Sequence, residues 1–464
     1  MRGSYTTLRQ AVERGEATFT QAVEEFLERI YRENPRLNAL LEVYENEALE
    51  AARRWDKAVQ EGAALPPLAG LVYVHKDNIA VANHRLGAAS RILEGYISPF
   101  DATVIERLKA AGAICIGRAN CDEFAMGSSN ENSAYGPVQH PQLEGYVPGG
   151  SSGGSAAAAA AGFCHVALGS DTGGSIRQPA AFCGLYGLKP TYGHVSRYGL
   201  IAYASSFDQI GPIAAALEDL IAVHQTIAGF DPKDATTASV KPEPFSPDLP
   251  PPKRWAFLLP EGLHPQVETA VGALMRKLGE AGFFVEQVGF PYWDYLIPTY
   301  YILTTAEASS NLSRYDGVRY GYRTKNPATL EALYARSRSE GFGREVKRRI
   351  LLGTFVLSAG YYEAYYTRAQ KVRRLLYDYT ETLFQQYDVI AMPTSATPPF
   401  RLGEKTQDPI QMYLSDLLTV YANLTGHPAL QIPIGNFVGL QVMGPLFTEN
   451  RLFSAAYAVA TLDK

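Results

Sequence analysis

Two glycine- and serine-rich blocks, separated by an alanine run, constrain this chain more than any other feature. Residues 149–155 read Gly-Gly-Ser-Ser-Gly-Gly-Ser and lead into six alanines, and residues 169–179 read Gly-Ser-Asp-Thr-Gly-Gly-Ser-Ile-Arg-Gln-Pro. Glycine allows sharp turns and a close approach of the backbone to a ligand, and successive N–H groups in such loops can hold an anion. A serine at the end of such a loop is placed to act as a nucleophile beside its own oxyanion hole.

On the residues alone, other interpretations of these blocks remain open. A glycine-rich loop often only turns the chain. The phosphate-binding pattern G-x-x-x-x-G-K-[ST] is absent from both blocks. Neither Ser151 nor Ser175 occupies the G-x-S-x-G frame of an α/β-hydrolase. The blocks by themselves therefore indicate either tight turns or a catalytic loop.

Composition narrows the class of protein. The chain has 464 residues, of which 46% are hydrophobic and only 19% are charged, so it can bury a sizeable core. The length alone suggests about three domains. A net charge of −5 argues against a chain that binds nucleic acid tightly without a partner. No apolar run approaches about 18 residues, and no apolar signal segment follows Met1, so we expect a cytoplasmic protein without membrane contacts.

Cysteine and histidine spacing points to no metal site. The four cysteines are not arranged as C-x-x-C, which predicts buried, reduced thiols: Cys115, Cys121, Cys164 and Cys183. The eight histidines form no H-E-x-x-H or comparable pattern. We therefore expect no metal in this chain.

Helical and extended patterns alternate along the first part of the chain, which favours an α/β layered fold. A helix is predicted from Thr20, as its N-cap, to Pro35, which would end it. Further helices are predicted at 47–59 and 103–111, and strands at 71–74 and 113–116.

A proline-rich segment, 241–253, cannot be a helix or a central strand. It is interpreted either as a surface loop within one domain or as a linker between domains. The patterns beyond it predict a strand at 255–259, a helix at 266–281, a helix-rich block at 306–386, and strands at 389–392 and 429–434.

Three separated motifs together resemble the amidase signature family. They are Lys76-Asp77-Asn78, the block 149–155 and the stretch 171–179. Lys76 precedes Ser151 by 75 positions and Ser151 precedes Ser175 by 24, and both spacings are similar to those of the family. The resemblance extends from about residue 20 to about residue 460.

The resemblance implies a fold and a domain organisation. We expect one α/β domain over 1–464, with N-terminal helices in about 1–65 and a core in about 66–460. Its mixed central β-sheet would be covered by helices on both faces. One pocket would need residues from most of the chain, which favours a single domain over three.

The chemistry that the resemblance implies is a Ser–cis-Ser–Lys triad. Ser175 would be the nucleophile, Ser151 the bridge and Lys76 the base. A serine hydroxyl needs a proton acceptor, and lysine serves as one near pH 7 only if burial lowers its pKa from about 10.4. The predicted strand at 71–74 would supply that apolar setting.

The resemblance also implies how the two blocks are built. It places a cis peptide before Ser151. It assigns the oxyanion hole to the N–H groups of Thr172, Gly173 and Gly174, together with that of Ser175.

Further runs resemble one branch of the family, the glutamine-hydrolysing A subunits of the amidotransferases that act on glutamyl-tRNA(Gln) and aspartyl-tRNA(Asn). The matching runs are 120–133, 306–312, 314–317, 345–354, 412–416 and 423–424. In that branch, ammonia from glutamine passes to a partner subunit, B, which holds the misacylated tRNA and uses ATP and Mg²⁺. A small subunit, C, stabilises the pair, and no cofactor is expected in this chain.

Free glutamine carries an α-carboxylate and an α-ammonium, so a selective pocket needs one cation and one anion. By position within the matching runs, Arg349 would bind the carboxylate, Asp416 would bind the ammonium and Tyr300 would line the pocket. Arg348 and Tyr301 are competing assignments. On the residues alone, Arg349 fits a solvated helix face and Asp416 fits a helix N-cap equally well.

Some residues depart from the family's usual pattern, but none is a triad member: His75, Arg118, Cys121 and His427. Two rival functions stay open, a stand-alone amidase for another small amide and an inactive scaffold. The low charged fraction fits a surface that is partly covered by partner subunits.

Overall fold

The computed structural model describes residues 4–406 and 408–462, so residues 1–3, 407, 463 and 464 of the predicted domain lie outside it. Within this part of the chain, one sheet has eleven strands: β1 Leu40–Val43, β2 Val72–Lys76, β3 Ile114–Ala119, β4 Val166–Asp171, β5 Tyr186–Lys189, β6 Gln209–Ala214, β7 Arg254–Phe257, β8 Phe284–Gln287, β9 Val389–Pro393, β10 Ala429–Pro433 and β11 Gly439–Met443. Their order across the sheet is β1-β3-β2-β4-β6-β5-β10-β11-β9-β7-β8.

The sheet is mixed, as predicted. Strand β2 pairs in parallel with β3 and β4, and β7 pairs in parallel with β8 and β9, whereas the pairs between these groups are antiparallel. Tyr73 and Val74 pack into different apolar clusters on opposite faces of β2. Strands buried on both faces need helices on both sides.

Fifteen helices are described in this part of the chain: α1 Tyr5–Glu13, α2 Phe19–Leu37, α3 Glu45–Gln60, α4 Thr103–Ala110, α5 Gly153–Ala161, α6 Arg177–Phe182, α7 Leu217–Ile227, α8 Pro265–Glu280, α9 Trp293–Asn311, α10 Leu330–Gly341, α11 Arg344–Val356, α12 Arg368–Phe384, α13 Pro409–Leu414, α14 Val420–Thr425 and α15 Glu449–Leu462. A π-helical turn, Tyr362–Thr367, leads directly into α12. No described helix combines the length and the apolar character that a bilayer crossing requires.

The predicted strands and the helices after α2 are confirmed, with shifts of a few residues at their ends. Two predictions about α2 are wrong. Its N-cap is Thr18, whose hydroxyl accepts the N–H of Gln21, whereas the hydroxyl of Thr20 donates to Asp56. Pro35 does not end the helix, because it lies in the last turn and the chain leaves the helix only at Asn38, which adopts a left-handed conformation.

The N-terminal region also contains β1, a strand that the sequence patterns did not predict. It pairs with β3 and so joins this region to the sheet. The proline-rich segment 241–253 has no helix or strand. It is a surface loop rather than a domain linker, because β7 directly after it belongs to the same sheet and the carbonyl of Leu249 accepts from Ser454 on α15.

Helix α11 crosses α9 at a glycine. A β-carbon on Gly353 would lie 1.9 Å from the carbonyl oxygen of Thr305, so only glycine allows the two helix backbones to approach this closely. The crossing fixes the position of Arg349, one turn earlier on α11.

We expect Gly353→Ala to lower the free energy of unfolding by about 1–3 kcal/mol, because the added methyl group overpacks the crossing. Gly279→Ala on α8 is the matched control, since nothing lies within 4 Å of its β-carbon position. The control should raise stability by about 0.5–1 kcal/mol through the better helix propensity of alanine. Urea-induced unfolding measures both changes, and equal effects at the two positions would contradict the close crossing.

Candidate active site

Lys76, the last residue of β2, is fully buried beneath the first glycine-serine block. Its Nζ contacts three hydroxyl groups, those of Ser151 at 2.8 Å, Ser152 at 2.9 Å and Ser170 at 3.1 Å. Burial lowers the pKa of Lys76 to about 8, and nearby carboxyl groups, among them Asp122, oppose the decrease. The amine is therefore much closer to neutrality at pH 7 than an ordinary lysine.

The parallel pairing of β2 with β4 explains how Lys76 meets Ser170, because the carboxyl ends of parallel strands share one edge of the sheet. Two of the three hydroxyl groups have further partners. Ser152 donates its hydrogen to the carbonyl of Ser170 at 3.1 Å, and the Ser170 oxygen also accepts from Asn78 at 2.9 Å. Ser151 is therefore the hydroxyl best placed to exchange its proton with Lys76.

The two glycine-serine blocks are joined to each other. The peptide between Gly150 and Ser151 is cis, as the family resemblance implied. The N–H of Gly150 donates to the side-chain oxygen of Gln178 at 2.9 Å, and the N–H of Ser152 donates to the carbonyl of Ser175 at 3.1 Å. These bonds hold Ser175, which is 7% exposed, beside the loop that carries Ser151.

A buried ion pair shapes the turn that leads to Ser175. Asp171 accepts hydrogen bonds from the guanidinium of Arg177 at 3.0 and 3.1 Å and from the side chain of Asn423 at 2.8 Å. Burial alone would raise the pKa of Asp171, but Arg177 lowers it to about 2, so the carboxylate stays charged. No sequence pattern indicates a role for this pair in the site.

The carboxylate of Asp171 also occupies one of the N–H groups that were predicted to form the oxyanion hole. The N–H of Gly174 donates to Asp171 at 2.8 Å, so this group is engaged within the turn rather than directed at a substrate. The N–H groups of Thr172, Gly173 and Ser175 have no acceptor among the described residues. They remain the candidate donors to an oxyanion.

The predicted substrate residue Arg349 is 3% exposed, which excludes a solvated helix face. Its guanidinium donates to Glu345 at 2.8 Å and to the hydroxyl of Tyr203 at 2.7 Å. The guanidinium carbon lies 5.1–5.5 Å from three ring centroids, those of Tyr203, Tyr301 and Tyr413. The competing side chain, Arg348, is 35% exposed and pairs with Glu345.

Asp416 is also buried, and it does not cap a helix with its side chain. Its two carboxylate oxygens accept from Ser128 at 2.7 Å and from Tyr301 at 3.0 Å, while its main-chain carbonyl accepts the N–H of Val420. Burial raises the pKa of Asp416 to about 6, so it is mostly ionised at neutral pH. An anion and the cation Arg349 thus face one another across Tyr301.

The two neighbouring tyrosines both line this region, at different places. A β-carbon on Gly173 would lie 2.4 Å from the hydroxyl of Tyr300, so Tyr300 contacts the loop that carries the candidate oxyanion donors. Tyr301 instead contacts Asp416 and stacks on Tyr413 with ring centroids 4.0 Å apart. The sequence could not decide between Tyr300 and Tyr301 as the pocket residue, because adjacent residues on a helix differ only in the direction in which their side chains point.

Two side chains, those of Thr419 and Gln178, connect the region of Asp416 and Arg349 to the serine loops. The hydroxyl of Thr419 donates to the carbonyl of Gly173 at 2.6 Å and to that of Asp416 at 3.1 Å. The side chain of Gln178, which holds Gly150, donates to the carbonyl of Ser128 at 3.1 Å. Lys76, the two serine loops, Arg349 and Asp416 therefore belong to one site.

The departures His75, Arg118 and Cys121 lie near Lys76 without blocking the site, whereas His427 contacts Glu381 at 2.9 Å. Arg118 pairs with Asp77 and Glu42, and burial lowers the pKa of His75 to about 3, so its imidazole is neutral. All four cysteines are free thiols, as predicted, but only Cys121, Cys164 and Cys183 are buried, whereas Cys115 is partly exposed. Cys121, which is fully buried, makes no disulfide.

Comparison with known proteins shows the family to which the chain belongs. A family profile described as Amidase matches residues 21–453. The chain therefore belongs to the amidase family, and its central sheet with helices is the fold of that family's solved members. One of these, the peptide amidase from Stenotrophomonas maltophilia, is 30% identical, with a TM-score of 0.81 over 99% of this chain and 96% of that one.

Within the family, the chain is similar to A subunits of glutamyl-tRNA(Gln) amidotransferases. It is 50% identical over 462 residues to the A subunit of the glutamyl-tRNA(Gln) amidotransferase of Koribacter versatilis (strain Ellin345), covering 97% of this chain and 96% of the relative. The crystal structure of the A subunit of the glutamyl-tRNA(Gln) amidotransferase from Thermotoga maritima is 39% identical, with a TM-score of 0.77, over 96% of this chain and 94% of that one.

Proposed function

We propose that this chain hydrolyses glutamine as the A subunit of a glutamyl-tRNA(Gln) amidotransferase. The observation that carries the proposal is the contact of 2.8 Å between Nζ of a fully buried Lys76 and Oγ of Ser151, inside a site that also buries a cation and an anion. Relatives of that name, about half identical to this chain over nearly its whole length, support the choice of substrate.

In the proposed reaction, Ser175 attacks the carboxamide carbon of glutamine. Its proton passes to Ser151, which gives its own proton to the neutral amine of Lys76. The negative charge that develops on the amide oxygen is stabilised by N–H groups of the loop 172–175. Return of the proton through Ser151 releases ammonia, and water then hydrolyses the acyl-enzyme.

Recognition of glutamine would use the charged pair. Arg349 binds the α-carboxylate through a planar fork of N–H donors, and Asp416 binds the α-ammonium. Tyr300 lines the pocket between this pair and the oxyanion donors. The burial of Arg349 and the exposure of Arg348 support this assignment over its competitor.

We further propose that the chain works in a cytoplasmic heterotrimer with two other subunits, B and C. The B subunit would bind the misacylated tRNA and use ATP and Mg²⁺, so that the acyl transfer proposed for this chain needs no cofactor. The net charge of −5 supports a chain that leaves tRNA binding to its partner. Large apolar side chains on the surface support covered interfaces, among them Leu351, which is 71% exposed, and Phe355.

We expect Ser175→Ala to reduce ammonia release from glutamine by at least about a thousandfold in the assembled complex, because the nucleophile is lost. Ser339→Ala, on the exposed face of α10, is the control and should keep full activity. Trapping of an acyl-enzyme by the unaltered complex would exclude an inactive scaffold. Undiminished ammonia release by Ser175→Ala would refute the assignment.

Arg349→Lys should raise the KM for glutamine about 10–100-fold, because lysine keeps the charge but cannot form two parallel bonds to a carboxylate. Arg348→Lys is the matched control and should change KM by less than about twofold, because Arg348 is partly exposed and lysine keeps the positive charge beside Glu345. Steady-state glutaminase assays of both variants provide the measurement. An unchanged KM for Arg349→Lys would favour a stand-alone amidase that binds a different small amide.

A further inference from the structure

Three ionisable side chains outside the proposed chemistry meet in the protein interior. His194 follows β5, His224 lies on α7 and Glu449 is the first residue of α15. They are 5%, 2% and 3% exposed, respectively. Each offers a nitrogen or oxygen atom that lies within 4.8 Å of the atoms offered by the other two.

The known contacts of this cluster leave three polar atoms without a partner. One oxygen of Glu449 contacts Nδ1 of His194 at 2.8 Å and accepts the N–H of Thr191 at 2.8 Å. Among the described residues, no hydrogen bond reaches Nε2 of His194, Nδ1 of His224 or Oε2 of Glu449. A buried polar atom without a partner destabilises the fold, so a missing component that contacts all three residues would be stabilising.

We propose that His194, His224 and Glu449 bind a divalent transition-metal ion, for which Zn²⁺ is the best match. Two imidazole nitrogens and one carboxylate oxygen are a common ligand set for zinc, with a fourth position left for water. The described cluster holds no thiolate, which disfavours softer metals.

The spacing of the ligand atoms is close to what zinc requires. Ligands at about 2.0–2.2 Å from a tetrahedral zinc ion lie about 3.3–3.6 Å from one another. The ligand atoms lie within 4.8 Å of one another, so the three side chains would approach more closely when they hold the ion.

The surroundings indicate a structural role for the ion. The rings of Phe447 and Phe453 pack against the two imidazoles, at 5.6 Å from His194 and 5.8 Å from His224. An apolar shell of this kind keeps bulk solvent and substrate away from the ion. By binding Glu449, His224 and His194, the ion would connect the start of the C-terminal helix α15 to α7 and to the loop after β5.

The spacing patterns in the sequence indicated no metal site because they detect only ligands that are close together along the chain. His194 and Glu449 are 255 positions apart. The alternative occupant is a buried water molecule, which can also satisfy three polar atoms.

The test measures zinc bound to the purified full-length chain without a histidine tag. The chain is unfolded in the presence of a chelator, refolded with Zn²⁺ and dialysed, and the bound metal is counted by mass spectrometry. We expect about one zinc per chain, and at least about a tenfold loss of affinity in His224→Gln. His84→Gln is the matched control, because His84 also pairs with a carboxylate, that of Glu47 at 3.1 Å, but outside the cluster.

No retained zinc in the folded, unaltered chain would overturn the proposal and leave water as the occupant, and so would equal affinity in His224→Gln. If His224→Gln does not fold, X-ray absorption of the zinc-loaded unaltered chain decides. A shell of two imidazoles and a carboxylate supports the proposal. A shell of waters or sulfur atoms overturns it.

Discussion

The burial of one amine, that of Lys76, is the constraint on which the rest of the site depends. Charged lysine is costly to bury, and this one is tolerated because three serine hydroxyl groups surround its nitrogen and the low polarity of the site favours the neutral form. Each of those hydroxyl groups comes from a glycine-serine block or from the end of β4. The parallel pairing of β2 with β4 and the loop that carries Ser151 and Ser152 therefore bring these hydroxyl groups to the same amine.

A second buried charge keeps the nucleophile loop in place. Asp171 takes the N–H of Gly174 into the turn and is held by Arg177, which also donates to the carbonyl of Thr419 at 2.9 Å. Thr419 in turn contacts Gly173 and the main chain of Asp416. The serine loops and Asp416 are thus connected by hydrogen bonds. A substitution in one of them is therefore expected to change the position of the other.

The sequence predicted five of the eleven described strands, β2, β3, β7, β9 and β10, and the helix-rich second half. It also supplied the candidate residues of the site, because the glycine-serine blocks carry their chemistry in a short stretch of chain. It failed where the outcome depends on contacts between distant residues. No sequence pattern indicates Tyr203, although its hydroxyl accepts a hydrogen bond from Arg349, 146 positions away along the chain. The cluster around Glu449 has the same cause. The cap at Thr18 and the bond from the Gly174 N–H to Asp171 are instead local contacts, each across three positions, that the sequence patterns did not indicate.

The most direct test of the account is the pH dependence of the maximal rate of glutamine hydrolysis by the assembled complex. Saturating glutamine removes the ionisations that affect only substrate binding. A lysine whose pKa is lowered to about 8 accepts a proton only when it is neutral, so the account predicts a rate that increases about tenfold per pH unit below pH 8 and levels off above it. A rate that is constant from pH 6 to pH 9, while chemistry remains rate-limiting, would contradict the role of Lys76 as the base.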